Sequence, residues 1–308
     1  MTSSHRRPGS PGATTFGSTV GSLIGSAAGS WALMRLLHRV PPALGEPWAR
    51  TNHAGRAVTL LEGPAWVGGV VAGAAVRRLA TRADHGTAEP SDRHGPFTSN
   101  RFPVSSSGAA TVVALASGAL GALDDLTGGA ADKGLKGHLG ALSRGEVTTG
   151  VVKIVGLAAT GLVGAALVDA AGPVRRGLLA TLLGGGVVAG AANAVNLFDL
   201  RPGRALKVTV LAGLPLLGTT PGSAAVGSSL GVVGDDLAAR SMLGDTGANA
   251  AGALVGLALV ERTGLLGRAA ALTGLAALTL ASERVSFTRL IEGNRLLRRL
   301  DEWGRVAR

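Results

Sequence analysis

The sequence predicts an all-α fold, a polytopic membrane bundle of nine or ten transmembrane helices that ends in an amphipathic helix. Apolar residues make up 46% of the 308 positions and charged residues only 16%, with a mean hydropathy of +0.34, whereas soluble proteins carry about 25% charged residues. The 49 glycines and the low aromatic content suit helices that pack closely in lipid. No run shows barrel-strand alternation, which leaves helices as the spanning structure. A glycine- and alanine-rich soluble protein is the alternative.

The elements follow from the apolar runs in chain order. Residues 1–15 are rich in Ser, Gly, Pro and Thr, and we expect a disordered leader there. The first apolar run is assigned to a span rather than to a signal peptide, because further apolar runs follow at once. The transmembrane domain covers residues 16–283, with spans expected at 16–37, 64–80, 104–123, 150–171, 177–198, 205–218, 223–243, 248–260 and 266–281. Several are shorter than the ~20 residues of a straight span, so kinked helices are expected.

The distribution of charge indicates a membrane partner rather than nucleic acid. The formal net charge is +11, but the basic residues stand in short clusters between apolar runs and in the tail, as is typical of loops that face anionic lipid. With the N-terminus outside, the inner loops carry most of the Lys and Arg. We therefore expect a multi-pass protein of the plasma membrane with its active site on the cytoplasmic face. The chain has no cysteine, which excludes disulfides and thiolate metal sites.

Residues 284–308 form a basic cytoplasmic tail that differs from the rest of the chain. Large apolar residues alternate with arginines from Phe287 to Arg305, which is the pattern of a basic amphipathic helix. Two interpretations stay open at this point. The helix lies on the anionic membrane surface, or it docks against the protein's own loops.

Four aspartates stand at the ends of apolar runs. Asp124 and Asp125 end one run, Asp199 ends another, and Asp245 lies between two more. The nine-span topology puts all four on the inner face. Carboxylates beside hydrocarbon are costly and usually functional, and Mg²⁺ prefers one or two carboxylates together with phosphate oxygens; Mn²⁺ is an alternative metal. The competing explanation is that each aspartate caps a helix.

Other polar residues lie in the same segments. The amides expected to add neutral contacts are Asn193, Asn196 and Asn249. The cations expected to hold a polyphosphate are Lys133, Lys136 and Arg204. Asp235 and Asp236 lie inside an apolar run, so they are either a buried functional pair or a sign that this run is not a full span.

Three motifs in a fixed order carry a family resemblance. They are Gly-Ala-Leu-Asp124-Asp125-Leu followed by Thr149-Gly-Val-Val-Lys153, then Asn193-Ala-Val-Asn196-Leu-Phe-Asp199, then Gly244-Asp245-Thr246-Gly247-Ala248-Asn249. In this order they resemble the polyprenyl-phosphate N-acetylhexosamine-1-phosphate transferases, the MraY/WecA-like enzymes of glycosyltransferase family 4 type. The resemblance covers about residues 48–260.

The resemblance implies a function. Such an enzyme moves a sugar-1-phosphate from a UDP-sugar to polyprenyl (undecaprenyl or decaprenyl) phosphate and releases UMP, with Mg²⁺, in cell-envelope glycan synthesis. It implies catalytic roles for Asp124, Asp125 and Asp199, and metal ligation by Asp245 and Asp125. Asn196 would line the nucleotide or metal site. The implied partners are polyprenyl phosphate, a UDP-sugar and anionic membrane lipids, with a homodimer left open.

The sequence also departs from the family pattern. After Asp199 the family continues with Gly-x-Asp-Gly, whereas this chain has Leu200-Arg201-Pro202-Gly203-Arg204, and the family's His-rich loop near the C-terminus is missing. A second hypothesis is therefore a catalytically diverged relative that binds lipid-linked phosphates or scaffolds envelope assembly. A third is a transporter, which would use the carboxylates within runs, Asp169, Asp235 and Asp236.

Overall fold

The computed structural model describes residues 11–52, 55–86, 106–127, 144–145 and 148–305. The all-α expectation is confirmed, since about 80% of the described residues are helical. Within the described ranges the α-helices are α1 (Pro11–Leu37), α2 (Pro42–Gly45), α3 (Glu62–Gly86), α4 (Ser106–Thr127), α5 (Thr149–Ala171), α6 (Leu178–Phe198), α7 (Arg204–Gly213), α8 (Thr220–Leu237), α9 (Gly244–Arg262), α10 (Leu265–Ser282), α11 (Phe287–Gly293) and α12 (Arg295–Glu302). Two 3-10 turns, Glu46–Trp48 and Leu214–Leu216, and two strands, β1 (Ala49–Thr51) and β2 (Ala57–Thr59), complete the fold.

Five of these helices are long and apolar enough to cross a membrane. Among the described residues they are Thr19–Leu37, Ser106–Thr127, Thr149–Ala171, Leu178–Phe198 and Leu265–Ser282. Each of the nine expected spans falls on a helix, but the one at 205–218 is only the ten-residue α7 and a 3-10 turn. A helix of that length reaches about 15 Å, half of a bilayer core. The multi-pass architecture is thus supported, and the count of nine stays a prediction.

Two helix boundaries differ from the limits expected from the apolar runs. Helix α1 begins at Pro11, so the last residues of the expected leader are helical, while residues 1–10 lie outside the described part. The apolar run 223–243 is not one helix either. α8 ends at Leu237 and the chain turns at Ala239, which has a φ of 52°. Asp235 and Asp236 therefore lie in the last turn of α8, as expected if the run is not a full span.

Helix α9 forms the centre of the bundle. It packs against α3, α4, α5, α6, α7 and α8, and almost every residue from Thr246 to Val260 is buried. Gly252 and Gly256 face the backbone of α6 at Ala191 and Val188, where a Cβ would collide with main-chain atoms. Small residues let these helices approach closely, and dispersion contacts then hold them together in lipid.

A second seam of small residues joins α1 to α3 and α8. Buried serines recur every four residues along α1, so they line one face of the helix. Ser30 Oγ donates a hydrogen bond to the Ser228 carbonyl at 3.0 Å. In α3 the indole of fully buried Trp66 donates to Ser229 Oγ at 3.0 Å. These bonds satisfy polar groups that would be costly in hydrocarbon.

A short antiparallel hairpin, β1–β2, was not expected from the sequence. Its second strand continues the pairing to the segment before α9, because Met242 N–H donates to the Thr59 carbonyl at 3.0 Å and Thr59 N–H to the Arg240 carbonyl at 3.2 Å. The hairpin thereby fixes where α9 begins.

A buried ion pair lies at the end of the bundle where α5 and α9 end and where α6 and α10 begin. Arg268 of α10 is fully buried and bonds Asp169 of α5 at 2.5 and 2.8 Å, the Ala180 carbonyl of α6 at 2.8 Å and the Val260 carbonyl of α9 at 3.0 Å. One guanidinium thus ties four helix ends together. Asp169 is held in this clamp, so one of the three carboxylates on which a transporter interpretation depends has a structural role.

The C-terminal tail forms two short helices rather than one. The break is at Asn294, whose side chain accepts hydrogen bonds from the N–H groups of Leu296 and Leu297 at 3.0 and 3.1 Å and so caps α12. The tail docks on the bundle, with Phe287 stacked on Phe198 at 5.4 Å between ring centroids. Docking against the protein's own loops, one of the two open interpretations, is therefore observed.

Candidate functional site

The candidate site lies where α4 and α6 end and where α5 and α9 begin. Asp125, in the last turn of α4, makes the first link across this end of the bundle. Its Oδ1 accepts the N–H of Asp245 at 3.0 Å, and its Oδ2 accepts the N–H of Thr246 at 2.9 Å and the Thr246 hydroxyl at 2.7 Å. A carboxylate at a helix N-terminus satisfies free N–H groups and complements the helix dipole. Asp125 therefore caps α9 from another helix.

The ammonium of Lys153, in the first turns of α5, is the centre of the site. It forms ion pairs with Asp245 Oδ2 and with Asp124 Oδ2, the latter at 3.4 Å. In the amide orientation that satisfies both neighbours, Asn196 donates to Asp245 Oδ1 at 3.0 Å and accepts from the ammonium at 3.2 Å. The side chains of Lys153, Asp124 and Asp245 are 17%, 26% and 23% exposed, so a ligand can reach them.

Asp199 joins the same group from the end of α6. Burial raises the pKa of its carboxyl well above the ordinary value, and the negative charges of Asp236, Asp245 and Asp125 raise it further. The backbone N–H of Gly244 bonds the carboxyl and opposes this shift. The four aspartates predicted from the sequence are thus brought to one end of the bundle.

Two further carboxyl groups lie near Asp199 and were not included in the predicted site. Glu62, at the start of α3, is fully buried and accepts a hydrogen bond from the Ser241 hydroxyl. Asp236 is also buried, and its carboxyl faces the backbone N–H of Gly203. Buried carboxyl groups therefore adjoin the partly exposed ones of the site.

Glycines and one arginine shape the backbone around these carboxylates. A Cβ at Gly121 would overlap the backbone of Asp245, so glycine at this position lets α4 approach the start of α9. Gly244 has a φ of 60°, a left-handed conformation that other residues adopt at a cost. From β1, Arg50 donates to the backbone carbonyl of Asp125. These contacts hold the C-terminal end of α4 against the N-terminal end of α9.

The remaining predicted residues do not meet at the carboxylates. Asn193 donates instead to Thr279 of α10 at 3.0 Å, and Arg204 is buried in an ion pair with Asp301 of the tail at 2.8 Å. Asn249 is fully buried in α9, and its amide atoms have no hydrogen-bond partner among the described residues. Lys133 and Lys136 lie outside the described residues.

The oxygen-bearing side chains of the site meet part of what a hard divalent cation requires of its ligands. No group of three or more His, Cys, Asp or Glu side chains within the described ranges is arranged to hold a metal. However, Asp124, Asp245 and the Asn196 oxygen already surround one positive charge, the Lys153 ammonium. Mg²⁺ takes one or two carboxylates and completes its shell with water and phosphate oxygens, so this oxygen set suits it. Asp125 has both oxygens bonded to α9, and its predicted metal ligation stays a prediction.

Lys153 is a residue of the candidate site to which no role was assigned from the sequence. It was part of a motif, but it received no role of its own. A lone lysine near the start of an apolar run is expensive unless paired, and this signal could have identified it. Arg50 and Glu62 gave no comparable signal, because each lies in a loop or at a helix boundary where charged residues are ordinary.

Comparisons with known proteins give no further assignment. A scan against protein-family models and a search of curated proteins returned no match for this chain.

Proposed function

We propose that the protein is a membrane phosphoglycosyl transferase. It would move a sugar-1-phosphate from a UDP-sugar to polyprenyl phosphate and release UMP, at the cytoplasmic face of the plasma membrane. The observation that supports this most is the convergence of Asp124, Asp245 and Asn196 on the ammonium of Lys153, from four separate helices. A lipid-linked acceptor is consistent with a site at the end of apolar helices.

The geometry suggests a division of roles among the carboxylates. Asp125 is bonded to three donors at the start of α9, so its role is to position Asp245. Asp124 accepts the proton of the polyprenyl phosphate as a general base. A phosphate oxygen of this acceptor then attacks the β-phosphorus of the UDP-sugar, and the bond to UMP breaks as the new phosphorus–oxygen bond forms. Positioning and charge neutralisation dominate such reactions.

Lys153 neutralises charge in this scheme. Its ammonium turns from the two carboxylates to the phosphate oxygens, as a lysine on a flexible stem can do. Asp245 and Asn196 would hold Mg²⁺ in its place, and the ion when bound supplies Lewis-acid stabilisation of the diphosphate and of the departing UMP. Asp199, protonated more readily than an ordinary aspartate, lines the inner wall of the site.

The test is UMP release by purified protein given undecaprenyl phosphate, Mg²⁺ and a panel of UDP-sugars. Asp124→Asn and Asp245→Asn should each lower turnover about 100-fold or more, the usual effect of removing a group that stabilises a transition state. Glu46→Gln, at an exposed carboxylate of the 3-10 turn Glu46–Trp48, is the matched control and should act as the unaltered protein does. Failure to release UMP from any donor, or full activity in both aspartate variants, would refute the proposal.

A second candidate function is a diverged relative that binds lipid-linked phosphates without turnover. One observation favours it. The stretch after Asp199, which departs from the family pattern, serves to dock the tail, with Arg201 paired to Glu292 at 2.7 Å and Arg204 to Asp301. Binding of undecaprenyl phosphate that is lost in Lys153→Met, with no UMP from any donor, would support this candidate. Detection of turnover would exclude it.

A further inference from the structure

The tail, residues 284–305, presents two chemically different sides. One side is bound to the bundle by polar contacts around Asp301. Arg204 bonds both carboxylate oxygens at 2.8 and 3.0 Å, Lys207 donates to the carbonyls of Leu300 and Asp301 at 3.1 and 2.6 Å, and Arg305 donates to the Pro202 carbonyl at 2.8 Å. Docking of α12 therefore uses charged and backbone groups, whereas α11 adds the stacking of Phe287 on Phe198.

The other side of the tail carries large apolar side chains that stay exposed. On α12 they are Leu296, Leu297 and Leu300, exposed by 66%, 38% and 50%, and Trp303 follows at 76%. In helical projection the three leucines share one face, and Asp301 lies at its edge, toward the bundle. Soluble surfaces rarely expose a contiguous apolar patch without a partner. The tail thus has an unpartnered apolar face beside its docked side.

Charge and position indicate which partner covers this face. Six arginines and three carboxylates stand between residues 284 and 305, so the tail carries an excess of positive charge. Arg298 and Arg299 are exposed; in helical projection Arg299 lies beside Leu296, and Arg298 lies farther around the helix. Helix α10, one of the candidate membrane spans, ends at Ser282, and α11 begins only five residues later. The tail therefore lies within reach of the lipid head groups at the end of that span.

We infer that the tail is a membrane-surface clamp, in which the leucine face and the exposed arginines Arg298 and Arg299 bind an anionic bilayer while Asp301 holds the tail to Arg204 of the bundle. Amphipathic helices of this type bury leucine and tryptophan at the head-group boundary, and long arginine side chains reach the phosphates from beside them. The two interpretations that the sequence left open for the tail then both apply, each to one side of it. The inference is independent of the transferase proposal.

The test measures amide hydrogen exchange at residues 295–300 of the full-length protein in lipid nanodiscs. One disc contains phosphatidylcholine alone, and the other contains about 30% phosphatidylglycerol to give an anionic surface. We expect exchange to be at least about 25-fold slower in the anionic discs, because each arginine near such a surface contributes about a 5-fold factor. Arg298→Gln/Arg299→Gln should remove that difference, and high salt should reduce it.

Matched variants separate the contribution of the leucines to membrane binding from that of the arginines. Leu296→Ser/Leu300→Ser should speed exchange in both discs, since it removes the apolar part of the binding. Arg175→Gln, an exposed arginine in the loop between α5 and α6 at the opposite end of the bundle, is the control and should change nothing. Equal exchange in neutral and anionic discs would overturn the inference. So would protection that rises only in discs with two protein copies, because it would assign the leucine face to a second copy. Neither readout depends on turnover.

Discussion

Replacing Lys153 by methionine isolates the electrostatics of the candidate site. Methionine keeps the apolar length of the side chain and removes only the ammonium. A hydrogen bond to a charged group contributes about 1.5–3 kcal/mol, and the partly exposed pairs with Asp124 and Asp245 belong at the low end of that range. The variant should therefore lose about 3 kcal/mol, which corresponds to about 6 °C in Tm at the ~2 °C per kcal/mol of a larger domain.

Magnesium should restore much of this loss. Without the lysine, Asp124 and Asp245 face each other as like charges, and a divalent cation relieves their repulsion. The measurement is the thermal unfolding of purified protein in detergent, titrated with MgCl₂. The Tm of Lys153→Met should rise more steeply with Mg²⁺ than that of the unaltered protein, in which the cation must first displace the ammonium.

The matched control is Lys207→Met. Lys207 lies at the same end of the bundle, but its ammonium bonds backbone carbonyls of the tail rather than the site carboxylates. This variant should have a lower Tm, but its Tm should rise with Mg²⁺ as that of the unaltered protein does. If Lys153→Met unfolds at the same temperature as the unaltered protein, or if all three proteins respond equally to Mg²⁺, the ammonium does not occupy a cation site.

Two predictions concern carboxyl groups with shifted pKa values. Burial alone would raise the pKa of Asp301, but hydrogen bonds and charge from Arg204 and Arg305 outweigh burial and lower it. Asp301→Asn should therefore cost about 3 kcal/mol at pH 7, where it leaves a buried guanidinium unpaired, and the difference should disappear as the pH falls below about 4; a constant difference from pH 3 to pH 8 would contradict this. Asp199 has a raised pKa, so its ionised form opposes folding. In EDTA, Asp199→Asn should be more stable than the unaltered protein above about pH 4 and equal to it in acid, and lower stability of the variant at pH 8 would count against the assignment.

Much of the helical architecture could be predicted from the sequence, because hydropathy is summed along a segment and needs no knowledge of its neighbours. The limits of α8 could not. Residues 238–243 fall within an expected span, yet the helix stops at Leu237, because the next segment pairs with Thr59 of the hairpin. A strand partner this far away in the chain leaves no local pattern.

The location of the candidate site could also be predicted from the sequence. Motif order and topology put Asp124, Asp125, Asp199 and Asp245 at one end of the bundle, since helices that alternate in direction return their ends to the same face. Their individual roles were not predictable. Whether an aspartate caps a helix or faces a cation depends on which N–H groups and ammonium groups lie within about 3 Å, and those belong to other helices.

The sequence by itself determined that the chain is helical, that its long apolar segments suit a bilayer, and that its carboxylates collect at helix ends. These properties depend on composition and on residues close together in the chain. Only the tertiary structure decided that Lys153 pairs with Asp245 across 92 residues, that Asp125 caps α9 across 120 residues, and that Arg204 binds the tail across 97 residues. The physical reason is that such pairs form where packing of small residues brings helix ends together, and packing is a property of the whole bundle.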